Sequence, residues 1–92
     1  MPKHVNIMVS GKVQGVFYRA STREKAEALG VKGFVRNERD GSVYVEAEGE
    51  EENLNRFIAW CKTGPPGSSV HKVDVISGEL KGFTRFEVKG WF

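Results

Sequence analysis

One cysteine, Cys61, is present in 92 residues, so no disulfide can form within the chain and a reducing compartment is the natural setting. Histidine is almost as scarce. His4 and His71 are the only two, and neither has a second candidate ligand at metal-binding spacing, so no metal is expected. No apolar run is long enough to span a bilayer. The N-terminal stretch MPKHVNIMVSG also lacks a signal-like apolar core and a small-residue cleavage site, so a cytoplasmic protein with no membrane partner is expected. There are three prolines and no low-complexity tract or linker, and residues 1–92 are expected to form a single domain burying roughly 60–65% of its unfolded surface.

What is present describes an ordinary soluble globule: 39% hydrophobic and 28% charged residues, with a net charge of +2. That charge is unevenly spread. Residues 1–40 hold eight Lys or Arg against four Asp or Glu, whereas residues 41–92 hold six against eight. The first half is the better host for an anion, although a solvated surface would give the same numbers.

Val5, Ile7 and Val9 alternate with Asn6, Met8 and Ser10, the period of a half-buried strand. Helix formers then dominate from Arg19 to Leu29, with Thr22, Ala26 and Leu29 on one face and Gly30 placed to end the last turn. Residues 33–37 and 42–47 flank Asp40-Gly41, which predicts a hairpin of two antiparallel strands. Leu54, Phe57, Ile58 and Cys61 follow helical spacing after the acidic start Glu50-Glu51-Glu52, which suits the positive end of a helix dipole. Gly64-Pro65-Pro66-Gly67 breaks the chain; Val70–Ile76 and Phe86–Val88 read as further strands. The order β-α-β-β-α-β with an added strand predicts an α+β, ferredoxin-like sandwich. It has an antiparallel sheet with both helices on one face, each helix long enough to cross between parallel neighbours.

This architecture serves many functions, so the chemistry must come from a site. Cys61 lies on the apolar face of the second helix and reads as a core residue, not a nucleophile. Glu46, Glu48, Glu50, Glu51 and Glu52 read as a hydrated acidic edge, with those on the third strand and at the helix start facing solvent. Trp91 and Phe92 read as either closing the core or forming a contact patch, with core closure the favoured expectation.

The segment GKVQGVFYRAST, residues 11–22, stands apart. Its glycine spacing matches neither the Walker pattern nor the dinucleotide fingerprint, so no nucleotide cofactor is expected. Glycine does let successive N–H groups converge on an anion, and the helix that follows adds unsatisfied amides and about half a positive charge. Arg19 adds a planar fork able to hold two phosphate oxygens. Equally compatible with the residues alone is a tight turn at Gly15, a capping box from Ser21 to Glu24, and a solvated Arg19.

VSGKVQGVFYR resembles the first signature of the acylphosphatases, and GFVRNERDGSV, residues 33–43, resembles their second. GPPGSSVHKV is similar to the segment following their second helix. The likeness spans nearly the whole chain. It implies a ferredoxin-like fold and hydrolysis of acyl phosphates to carboxylate and phosphate by water attack at phosphorus, with neither a metal nor a covalent intermediate. By the resemblance, Arg19 binds the phosphoryl group and Asn37 orients the attacking water. Backbone amides of Gln14, Gly15, Val16, Phe17 and Tyr18 would form the cradle. The implied partners are a small acyl phosphate and inorganic phosphate, for a monomer that binds no nucleic acid. Tyr18 replaces the usual phenylalanine and Phe34 a common tryptophan, changes that bear on substrate fit or packing.

The reading has its own chemical logic. A carboxylate leaving group has a conjugate acid of pKa about 4–5 and departs without protonation, so no general acid is needed. Two other classes remain open: a single-stranded RNA binder on the same fold, and a non-catalytic anion-binding module. The outward positions of the first and third strands, Asn6, Met8, Tyr44 and Glu46, offer only one stacking aromatic to RNA.

Overall fold

In the computed structural model, which describes residues 1–90, the chain runs β1 (Pro2–Lys12), α1 (Tyr18–Leu29), β2 (Lys32–Asn37), β3 (Val43–Glu50), α2 (Glu51–Thr63), β4 (Ser69–Gly78) and β5 (Phe86–Val88). The strands form one sheet in the order β4-β1-β3-β2-β5. β1 pairs antiparallel with β3 and β4, and β2 antiparallel with β3. β5 lies parallel to β2 and extends the antiparallel core into a mixed sheet. The ferredoxin-like expectation therefore holds, but neither helix crosses between neighbouring strands as expected. β3 is inserted between β1 and β2, which α1 connects, and β1 is inserted between β3 and β4, which α2 connects.

Alternation in β1 and β3 decides the layers. Val5, Ile7 and Val9 stand in register with Ala47, Val45 and Val43. All six join Val35, Ala26, Leu54, Phe57 and Cys61 in one buried core. Both helices pack over this face and against each other. α2 begins at two exposed acids, Glu51 and Glu52, and buries Leu54, Phe57 and Cys61, as its spacing predicts. Neither helix is long and apolar enough to cross a membrane. The expectation for Trp91 and Phe92 falls outside the described residues.

The opposite face departs from the sequence reading. Glu46 and Glu48, expected to face solvent, are buried. The segment after β4 folds across them: the N–H groups of Lys81, Gly82 and Phe83 donate to the Glu48 carboxylate at 2.5, 3.1 and 3.1 Å. His4, also buried, places Nδ1 2.7 Å from Glu48, stacks on Phe83, and lies 3.4 Å from Glu46. The Lys81 ammonium closes on Glu46 at 2.8 Å. Burial pushes both carboxyls up, but these donors outweigh it and hold both below the usual carboxylate range. Strand alternation did place these residues on the outer face. It could not show that a segment more than thirty residues later covers that face. Glu50, Glu51 and Glu52 remain exposed, as expected.

Candidate active site

The loop between β1 and α1 is shaped by its backbone. Gly15 has φ 71°, in the left-handed region that glycine occupies freely. Phe17 adopts the same region at φ 60° and serves as the N-cap of α1, with no side-chain capping bond. The capping-box alternative at Ser21 and Glu24 is therefore overturned. The helix starts at Tyr18, and the Ser21 N–H makes an ordinary helical bond to the Phe17 carbonyl at 3.0 Å. Among the described residues, no N–H of residues 14–18 donates to a main-chain acceptor in a turn or loop. These amides head a helix with its positive dipole end beside them.

Two side chains hold this loop in place. Gln14 Nε2 donates to the carbonyls of Glu38 at 2.8 Å and Ser42 at 2.9 Å, tying the loop to the β2–β3 hairpin. That hairpin is itself closed by Asp40, whose carboxylate accepts from the Ser42 N–H at 2.9 Å and the Ser42 hydroxyl at 2.5 Å. These bonds draw the Asp40 carboxyl below its ordinary value. On the other side Tyr18 is fully buried, and its hydroxyl donates to the Cys61 carbonyl at 2.7 Å, pinning the first turn of α1 to α2. Burial pushes the Tyr18 phenol up, so it stays a neutral donor. Tyr18 thus has a packing role, as does Phe34, whose ring meets Tyr44 and Phe83 on the outer face.

Register brings Asn37 to this loop. Val43 of β3 pairs with both Val9 of β1 and Asn37 of β2, so the ends of two parallel strands arrive side by side across one intervening strand. Asn37 shares strand parity with Val35, which directs it to the helix-covered face. It is buried at 4% exposure, and its Oδ1 has no hydrogen-bond partner among the described residues. A buried acceptor left unpaired is costly, so a group in this position calls for a partner such as a bound water or a ligand.

Arg19 and Asn37 line one cavity of about 280 Å³, together with Gly15, Phe17 and Tyr18. Gln14 and Val16, also expected to offer amides to the cradle, are not among the residues lining this cavity; the Gln14 side chain makes the bonds described above. Val88 completes the wall, a residue that sequence reasoning missed. β5 carries it there through the Val35–Val88 pairing, and the next residue bonds Lys89 N–H to the Val35 carbonyl at 2.8 Å. Arg19 Nη1 in turn donates to the Lys89 carbonyl at 2.6 Å. No local signal in the sequence links positions 19 and 89. For Asn37 a signal existed: a carboxamide at an inward-facing strand position demands a partner.

A larger groove of about 520 Å³ lies between β1, β4 and α2, but it holds neither an arginine nor an unpaired buried acceptor. Among the described residues no group of three or more His, Cys, Asp or Glu is arranged to hold a metal ion. Chemistry, not size, selects the smaller cavity: a guanidinium, amides without main-chain partners and one buried acceptor converge there. Such a combination is chemically able to bind a tetrahedral anion and to position a water beside it.

Residues 5–88 match the acylphosphatase family model. A relative named acylphosphatase from Acaryochloris marina is 52% identical over 81 residues, covering 88% of this chain and 87% of that protein. Another of the same name, from Methylococcus capsulatus, is 47% identical over 87 residues, covering 94% and 95%. The solved structure of an acylphosphatase from Coxiella burnetii superposes with a TM-score of 0.93 at 36% identity, covering 96% of this chain and 93% of that one.

Proposed function

The chain belongs to the acylphosphatase family, and on that premise we propose that the Arg19–Asn37 cavity binds an acyl phosphate and hydrolyses it to carboxylate and inorganic phosphate. The phosphoryl oxygens take the N–H groups around Gly15–Tyr18 and the free face of the Arg19 guanidinium. Asn37 Oδ1 accepts a hydrogen bond from a water and aims its oxygen at phosphorus.

The step then balances without further participants. The water oxygen forms a bond to phosphorus as the phosphorus–acyl oxygen bond breaks. The electron pair leaves with the carboxylate, and the water proton stays with the phosphate product or passes to solvent. Carboxylates are stable anions at neutral pH, so no acid is required on the leaving side. In a loose transition state, charge on the phosphoryl oxygens is met by donors already in place, the main source of rate enhancement in such a site.

The single observation carrying this reading is that the buried Asn37 carboxamide and Arg19 line one cavity at the head of α1. A carboxamide oxygen there accepts from a water, a task that hydrolysis needs and mere anion binding does not. We infer a monomer in the cytoplasm, a reducing setting that the free, buried Cys61 thiol fits. Turnover of benzoyl phosphate by the purified protein, with inorganic phosphate as competitor, tests the proposal. Absence of turnover with intact phosphate binding would leave only an anion-binding module.

A further inference from the structure

Phe17 is the only non-glycine residue with a left-handed backbone among those described, at φ 60°, and it is 83% exposed. Neither property follows from packing. Glycine takes this conformation freely, and the same loop uses glycine at position 15, with φ 71°. Strained residues of this kind concentrate at functional sites. A bulky ring held in a strained backbone and left in solvent stabilises neither the loop nor the core.

Its location supplies a reason. Phe17 lines the cavity that holds Arg19 and Asn37, and so does Val88, itself 38% exposed. Of the cavity's lining, Asn37 is buried, whereas Phe17 and Val88 are apolar and exposed to solvent. Inorganic phosphate would engage Arg19 and the loop amides alone. An acyl phosphate seated there by its phosphoryl end would extend its acyl group toward solvent, past the exposed Phe17 and Val88.

We infer that Phe17 is a specificity-determining residue: its ring covers the acyl group and favours aromatic acyl phosphates over acetyl phosphate. This rests on the reading of the cavity as the acyl phosphate site. A flat benzoyl group offers a face for ring stacking and apolar area to cover, whereas an acetyl group offers one methyl.

The test compares kcat/KM for benzoyl phosphate and acetyl phosphate in the wild type, Phe17→Asn and Phe17→Tyr. Asparagine tolerates the left-handed backbone, so the loop amides keep their place, and tyrosine keeps the ring. Any change in phosphoryl binding affects both substrates and cancels in their ratio. The benzoyl-to-acetyl ratio is expected to fall about fivefold to tenfold in Phe17→Asn, the worth of covering roughly 50 Å² of apolar surface. The loss should appear in the KM for benzoyl phosphate, and Phe17→Tyr should retain the wild-type ratio. A ratio unchanged in Phe17→Asn, or an equal fall in Phe17→Tyr, overturns the inference while leaving the site reading intact. A wild type that hydrolyses neither substrate overturns the site reading and this inference with it.

Discussion

Arg19 donates from Nη1 to the carbonyl oxygen of Lys89 at 2.6 Å, a bond between residues seventy positions apart in the chain. One arm of the guanidinium is thereby fixed on the end of β5 while the rest lines the cavity. An arginine held this way would meet a phosphoryl group with little reorganisation. Arg19→Ala is expected to lower kcat/KM for an acyl phosphate by at least ~10²–10³-fold, the scale of losing a preorganised donor. It should also weaken competition by inorganic phosphate. Arg19→Lys should rescue poorly, because an ammonium cannot hold the Lys89 carbonyl and two phosphoryl oxygens in one plane.

Asn37 is assigned a different task, and its variant should separate from that of Arg19. In Asn37→Ala, phosphate inhibition is expected to remain within about twofold of wild type while kcat falls at least ~100-fold, since the interaction lost acts on the water. Steady-state kinetics with phosphate as inhibitor reads both quantities. Normal turnover in this variant would refute the assigned role.

The buried carboxylate of Glu48 makes stability depend on acid pH. Its folded pKa lies below its unfolded value of about 4.3. The stabilisation is therefore complete above that value and disappears as pH falls through the folded pKa. Melting temperature should drop steeply below about pH 4.3 in the wild type. Glu48→Gln should flatten that dependence and cost roughly 2–3 kcal/mol at neutral pH, because three amides and the His4 ring lose a charged acceptor. Thermal melts from pH 3 to 7 check both effects, and equal slopes for the two proteins would exclude Glu48 as their source.

Cys61 is fully buried, and burial pushes its thiol up to about 12. Thiolate is the reactive form, so the native protein should resist thiol-specific reagents at pH 8 and react completely once unfolded. Labelling with and without denaturant distinguishes this from a reactive cysteine.

Phe17→Gly should stabilise the protein. A left-handed backbone costs a residue with a Cβ about 1–2 kcal/mol, partly offset by the entropy glycine loses on folding, and the exposed ring gives up little packing. A net gain of about 0.5–1 kcal/mol is expected in denaturant unfolding. A loss of stability would mean that the ring contributes to the fold.

Much of the molecule was legible in the residues themselves. Alternation at Val5, Ile7 and Val9, the helical spacing of Leu54, Phe57 and Cys61, and the Asp40-Gly41 turn each depend on neighbours a few positions away, so periodicity and turn chemistry determined them. The loop before α1 left an anion seat and a capped turn equally open on its residues alone; the likeness of VSGKVQGVFYR and of GFVRNERDGSV to two signatures of one family is what singled out Arg19 and Asn37. Only the tertiary structure decided what covers what. The burial of Glu46 and Glu48 depends on a segment that returns over the sheet. The grip of Lys89 on Arg19 depends on β5 pairing parallel to β2, and Gln14 serves through its side chain because the hairpin carbonyls lie opposite it. Such contacts arise when chain closure brings distant backbone groups within hydrogen-bonding range, and no local period encodes that closure.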